Sequence, residues 1–285
     1  MQWQRVVELH SGGDGGRHGS GYLIASGLVL TARHVVDGLD ATSVRLLEPD
    51  EDRLPGGIGA WQDARVVWSG TDVDLALLAP AAAAAFRKLE STTTIGRLDG
   101  RAPVRVDALG FPRAMLNPTY SDSLHVEAYV NAWSGVRGDA MLLDVRTSRP
   151  AQAEGWRGMS GAAVFAGDRL VGVIEAVPAR LDGSTLRATP AHALFEATDA
   201  ARLLREADVD LAPQLVDAAY VDNLPPAGHW GDVREQYTRA VVATLCRIDY
   251  LGLAVSGAPD RKMPALAAFS EQRLRLWQDD ATPKG

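Results

Sequence analysis

The sequence predicts a mostly-β protein, two consecutive antiparallel β-barrels followed by a helical C-terminal extension. Short runs rich in Val, Leu, Ile and Trp recur between clusters of Gly, Pro and Asp, the spacing expected of strands and turns in a barrel. These runs fall into two series, parted by the helix-prone stretch Ala81–Glu90. Longer helical signals gather only from Thr189 onward.

Composition bounds the function. A chain of 285 residues with 46% hydrophobic content has room for one or two domains with a substantial core. Its 29 basic and 36 acidic residues give a formal charge of −7, so no chain-wide basic surface exists to neutralise phosphates and nucleic acid is not an expected partner. The single cysteine, Cys246, cannot form an internal disulfide, which favours a reducing compartment. Met1–Leu9 has neither an apolar h-region nor a small-residue cleavage site and reads as a first strand. No uncharged apolar run approaches the ~18 residues needed to span a bilayer. A cytoplasmic protein with no membrane partner is the resulting expectation.

The first series opens with that strand. The glycine-rich Ser11–Ser20 follows it as a hairpin loop, with His18 read as a solvated loop residue. Its glycines precede a strand and no Gly-Lys-Ser/Thr occurs, so it is not a phosphate cradle. Gly21–Ala25 and Leu28–Leu30 are the next strands, then Val44–Leu47, Ala64–Trp68 and a strand entered from Asp74.

The second series comprises Val104–Pro112, Leu124–Val130, Met141–Val145, Ala162–Phe165 and Leu170–Val177. His125 alternates with apolar residues as a half-exposed strand side chain. The histidines are too scattered for a metal site, and no C-x-x-C occurs. Thr189 and Pro190 read as the N-cap and first residue of a helix running to about Glu206. Past a Leu224–Gly228 linker, Val233, Tyr237, Val241, Leu245 and Ile248 share one helical face, with Cys246 a small buried hydrophobe. Met263–Pro264 opens a further helix through Leu266, Phe269, Leu274 and Trp277. The extension reads as a partner-facing element.

The chemistry gathers around Gly155–Phe165, a glycine-hinged turn that holds Ser160 just before an apolar strand. A serine hydroxyl needs a base to take its proton and a carboxylate to orient that base. His34, in Thr31-Ala32-Arg33-His34-Val35-Val36, and a carboxylate at Asp72 or Asp74 supply both upstream. Gly19-Ser20-Gly21-Tyr22-Leu23-Ile24, the His34 segment, Asp74-Leu75-Ala76-Leu77-Leu78, Gly158-Met159-Ser160-Gly161 and Leu170–Ile174, in that order, resemble the trypsin-like (chymotrypsin-fold) serine peptidases over about residues 1–205.

That resemblance implies two six-stranded antiparallel barrels, about 1–100 and 101–190, with a closing helix ending near 207 and residues 208–285 as linker and extension. It implies a serine endopeptidase without cofactor or metal, acting on protein or peptide substrates. In it Ser160 is the nucleophile, His34 the base, and Asp74 the carboxylate, because the family's aspartate directly precedes an apolar-Ala-Leu-Leu strand. The oxyanion hole falls to the N–H groups of Gly158 and Ser160. The position six before the nucleophile, Glu154, lies at the base of the pocket for the P1 side chain, with Glu175 in its wall, so a basic P1 residue is expected, a small or apolar one being the alternative if Trp156-Arg157 turns Glu154 outward or Arg157 pairs with it. Where secreted relatives carry an aspartate before the nucleophile this chain has Met159, which cannot pair with a cleaved N-terminus. Control is therefore expected from the extension or a larger partner, as in a regulated intracellular bacterial effector protease. Tyr237–Gly252 resembles the helical segment that precedes the nucleotide-binding domain of bacterial signalling NTPases.

Two rivals remain. One is a trypsin-like barrel that has lost catalysis and serves as a protein-binding module, against which stands the presence of all three triad residue types. The other is an esterase using the same triad, which lacks support because the G-x-S-x-G elbow and the Ser, Asp, His order of α/β-hydrolases are absent.

Overall fold

The computed structural model describes residues 1–223 apart from 12–15, 49–56, 59, 82–88, 90, 100–101, 117–120, 132–133, 135–139, 148 and 178–182. The expected helix at Ala81–Glu90, the Leu224–Gly228 linker, both C-terminal helices and Cys246 lie wholly or largely outside the described residues. Among the described residues, no helix is long and apolar enough to cross a membrane.

The first barrel is built from β1 (Val6–Ser11), β2 (Arg17–Ala25), β3 (Leu28–Thr31), β4 (Ala41–Glu48), β6 (Gln62–Ser69) and β7 (Ala76–Pro80), with β5 (Gly57–Ile58) added at the edge of β4. The strands run β1-β2-β3-β7-β6-β4, and pairing of β1 with β4 closes the ring. A one-turn helix, α1 (Arg33–Val36), follows β3. The expected hairpin joins β1 to β2, with Ser11 opposite Arg17 and Val6 opposite Tyr22.

The second barrel closes in the order β10-β11-β14-β13-β12-β9: β9 (Val104–Gly110), β10 (Leu124–Val130), β11 (Met141–Val145), β12 (Ala163–Ala166), β13 (Arg169–Ala176) and β14 (Thr185–Pro190). Period-two alternation fixes the register, as strands with one buried face require. Val104, Val106 and Ala108 of β9 and Val126, Ala128 and Val130 of β10 are buried, whereas Arg105, Glu127 and Tyr129 between them are exposed. Both barrels have the six strands expected.

Strand β14 corrects the reading of Thr189 and Pro190. Both belong to the strand, Thr189 opposite Val173 and Pro190 opposite Gly172. Pro190 keeps an extended backbone, φ −60° and ψ 129°, and ends the strand where a ladder donor is no longer needed. The single helix expected from there to Glu206 is instead a 3₁₀ segment, Ala191–Phe195, and a separate α2 (Thr198–Glu206).

The barrels share an apolar seam. From Gly19 to Ala25 every residue of β2 is buried, because one face fills the first barrel while the other meets the second. Across the seam the rings of Tyr22 and Phe165 stand 5.0 Å apart, tilted by 59°. The folded body continues past residue 207. Val209 joins the first core, and Val216 and Val221 join the second. Strand β15 (Gln214–Val216) pairs in parallel with β8 (Gly96–Leu98), and α3 (Ala218–Asn223) follows it.

Candidate active site

Asp74 sits at the mouth of β7 and holds His34 by two bonds. The His34 backbone N–H donates to Oδ1 at 2.9 Å, and its ring Nδ1 lies 2.6 Å from Oδ2. Burial alone would push the Asp74 carboxyl up, but the two N–H groups of His34 outweigh it and hold the carboxyl below the usual range. Facing an ionised carboxylate, Nδ1 carries the proton, which leaves Nε2 of the neutral ring free to accept one. Arg33 steadies the loop ahead of β7 by donating to the Gly70 and Thr71 carbonyls. Asp72 is exposed and takes a 3.3 Å bond from the Thr71 hydroxyl. Of the two carboxylates, Asp74 is the one that meets His34.

Ser160 is carried on the turn between a 3₁₀ segment (Ala153–Trp156) and β12. Two of that turn's glycines have a positive φ, Gly158 at 94° and Gly161 at 90°. A Cβ on Gly161 would overlap the Ser20 carbonyl and the Thr31 hydroxyl, and one on Gly158 would overlap the Phe111 carbonyl, so neither position admits a side chain. The Ser160 hydroxyl donates to the Glu175 carbonyl at 2.9 Å. Its donor is thereby turned away from His34, although both residues line the same two cavities.

The peptide planes around Ser160 are set from behind. The Arg157 carbonyl accepts from the Arg113 N–H at 2.6 Å and the Met159 carbonyl from the Ala162 N–H at 3.0 Å. Because a trans peptide points its N–H opposite its C=O, the N–H groups of Gly158 and Ser160 turn the other way. Among the described residues neither of them has an acceptor.

Ser20 is the residue that sequence reading missed. Its backbone N–H donates to the Ser160 carbonyl at 2.8 Å. Its buried hydroxyl accepts from the Phe111 N–H at 2.9 Å and donates to the Gly158 carbonyl at 2.7 Å. The Gly19-Ser20-Gly21 run was the available signal: a polar residue between glycines, inside an otherwise apolar strand. His18 is also no free loop residue. It lies 2.6 Å from the buried carboxylate of Glu8, which Arg45 binds from the other side at 2.5 Å. Burial pushes the Glu8 carboxyl up, but these two partners hold it below the usual range.

Two cavities meet at His34 and Ser160. The smaller, about 250 Å³, has apolar walls from Trp156, Met159, Ile174 and Leu186, and both Glu154 and Glu175 line it. Glu154 is exposed, whereas Glu175 is bound by Arg187 at 3.0 Å. The expected pair of free carboxylates is therefore reduced to one at the solvent edge. The larger cleft, about 890 Å³, runs past Gly158, Arg157 and His18 toward Trp61. Elsewhere, Asp107, His125 and Glu127 bring potential ligand atoms within 4.8 Å of one another. His125 there is half-exposed, as expected, and lies within hydrogen-bonding distance of Asp107 at 3.0 Å.

Residues 19–173, more than half of the chain, match the trypsin-like peptidase domain. The protein belongs to that family. Among solved structures it is similar to the HtrA-type protease AlgW with a tripeptide (23% identity, TM-score 0.50, covering 68% of this chain and 58% of that one). It is also similar to the serine endoprotease from Yersinia pestis (19%, TM-score 0.49, 72% and 64%). A third is the Rv3671c protease from M. tuberculosis in its active form (19%, TM-score 0.48, 74% and 83%). The chain spans less than two thirds of the length of the first two. No curated protein matches it. The trypsin-like domain and the two barrels are those of a serine peptidase fold.

Proposed function

We propose that the protein is a serine endopeptidase that cleaves peptide bonds through an acyl-enzyme, with Ser160, His34 and Asp74 as its triad. The observation that carries this reading is the His34–Asp74 pair, which leaves Nε2 as an acceptor in a cavity shared with the Ser160 hydroxyl. Catalysis begins with rotation of that hydroxyl from the Glu175 carbonyl to His34 Nε2. Ser160 Oγ then attacks the scissile carbonyl as His34 takes its proton. The oxyanion is met by the N–H groups of Gly158 and Ser160, each worth roughly 3 kcal/mol of barrier. Collapse returns the proton to the leaving amine, and a water repeats the sequence on the acyl-enzyme.

The smaller cavity, holding Glu154, takes the P1 side chain. With Glu175 already bound by Arg187 and four apolar walls, it suits an apolar P1 residue better than the basic one that the sequence alone suggests. The larger cleft takes the leaving-group side.

A non-catalytic binding module is the second reading, favoured by the Ser160 hydroxyl resting on Glu175 rather than on His34. Labelling with a fluorophosphonate separates the two. Adduct formation at Ser160, absent in Ser160→Ala, supports the peptidase. An unreactive wild type that nevertheless binds peptide supports the module.

A further inference from the structure

The larger cleft is basic within an acidic protein. The chain carries a net charge of −7, yet Arg17, Arg45, Arg113 and Arg157 all line this cleft. Glu8 is the one carboxylate among its lining residues, and it is consumed by His18 and Arg45. The other three guanidinium groups have no carboxylate partner among the described residues. Arg17 donates to the His34 and Asp37 carbonyls, which orients it and leaves its charge uncompensated. Arg113 and Arg157 are exposed on either side of the backbone bond that joins them.

Their position relative to Ser160 decides which part of a substrate meets them. Arg157 immediately precedes Gly158, and Arg17 binds the His34 carbonyl. The charges therefore flank the path of the departing chain. An extended peptide advances about 3.3 Å per residue, so these long side chains reach the first few residues after the scissile bond. A low-dielectric wall on one side concentrates the field of such a cluster. Trp61 and Leu116, exposed at 42% and 60%, give the far part of the cleft an apolar character.

We infer that this cleft selects substrates with Asp or Glu in the first three positions on the leaving-group side of the scissile bond. The inference rests on the proposed peptidase reading and specifies its substrate. An exposed charge pair changes affinity by no more than about fivefold, and three acting together give a preference of about tenfold or more. It weakens with salt as the Debye length falls to about 3 Å near 1 M.

The test uses the full chain and a peptide set with a constant acyl side, in which each of the first three leaving-group positions carries Asp, Glu, Ala, Lys or Arg. The expected result is a kcat/KM about tenfold higher for acidic than for basic peptides at low salt, approaching equality near 1 M. The double variant Arg113→Glu, Arg157→Glu should invert the ranking. The charge-neutral Arg113→Gln, Arg157→Gln pair, which keeps a polar side chain at both positions, should flatten it. A ranking blind to charge, or unchanged in the folded double variants, overturns the inference while leaving the peptidase reading intact. If the wild type cleaves none of the peptides and Ser160 resists fluorophosphonate, the peptidase reading fails instead. Fluorescence polarisation of the same peptides on Ser160→Ala then decides the cleft: selective binding of acidic peptides sustains it, and equal binding overturns it.

Discussion

The Ser20 hydroxyl donates to the Gly158 carbonyl at 2.7 Å, a bond from the first barrel to the turn beside the nucleophile. The same oxygen accepts from the Phe111 N–H at 2.9 Å, so one buried side chain of the first barrel fixes two peptides on the second-barrel side of the seam. Ser20→Ala releases the Gly158–Met159 peptide, which lies between the two peptides that carry the Gly158 and Ser160 N–H donors. It should lower kcat by tenfold or more with little change in KM, within the ~10²–10³ cost of a lost oxyanion donor. Stability should fall by about 1–3 kcal/mol for the orphaned polar groups. Steady-state kinetics beside a thermal melt separate the two effects, since a purely structural role lowers the melting temperature and leaves kcat of the folded enzyme unchanged.

The two bonds from His34 to Asp74 predict an asymmetric response to carboxylate removal. Asp74→Asn loses the charge and favours the wrong imidazole tautomer, and kcat should drop by about 10⁴. Asp72→Asn removes only an exposed loop carboxylate and should change kcat less than about twofold by general expectation for surface sites. Equal losses in both variants would show that the loop, not the His34 contact, limits turnover.

Glu8 gives the fold a pH dependence of definite sign. Its folded pKa lies below the usual carboxylate value. Its contribution to stability is therefore complete above its unfolded pKa of about 4.3 and is lost as pH falls through the folded value. Urea melts should show Glu8→Gln markedly weaker than wild type at about pH 6, with the gap closing toward about pH 2. A gap that persists at low pH would mean the loss comes from packing rather than charge.

Gly161 and Gly38 share a positive φ, 90° and 75°, but differ in surroundings. A Cβ added at Gly38 would have nothing within 4 Å, while at Gly161 the Ser20 carbonyl occupies that space. Gly38→Ala should cost only the left-handed backbone penalty, about 1–2 kcal/mol. Gly161→Ala must displace the Ser160 turn and should abolish fluorophosphonate labelling. Calorimetry and labelling of the two variants check the contrast.

Residues 208–223 belong to the folded body, so a fragment ending at 223 should be soluble and cooperative. One ending at 207 loses Val209, Val216 and Val221, each buried, at about 1.5–3 kcal/mol apiece. It also unpairs β8 from β15. Denaturant melts of the two fragments measure the difference, and equal midpoints would show that residues 208–223 add nothing to the cores.

Local signals in the sequence reached much of the structure. Apolar runs between turn clusters marked most strands of both barrels, and in β9, β10 and β11 the burial alternates because the barrel wall there has one face in the core and a side-chain period of two. Gly158, Ser160 and Gly161 were readable because a turn with positive φ restricts residue choice at the position itself. The motif order placed His34 and Asp74 together before their contact was seen. Strand β14 escaped notice because Thr189 and Pro190 carry a helix-start pattern, which pairing with β13 overrides. Residues 208–223 escaped because only packing against both cores holds them.

What only the tertiary structure decided are the contacts between segments far apart in the chain. Sequence preferred Asp74 to Asp72 on motif resemblance, and the approach of α1 to β7 made the two bonds to His34 that the preference needed. It offered Glu175 as a free pocket charge, and β13–β14 pairing brought Arg187 to it. Ser20 gained its role when the closure of two barrels set it against Gly158. The residue types and turns were determined locally by backbone sterics and hydrophobic periodicity. The partners were decided by which strands the two closed barrels bring side by side, and no local pattern encodes that distance.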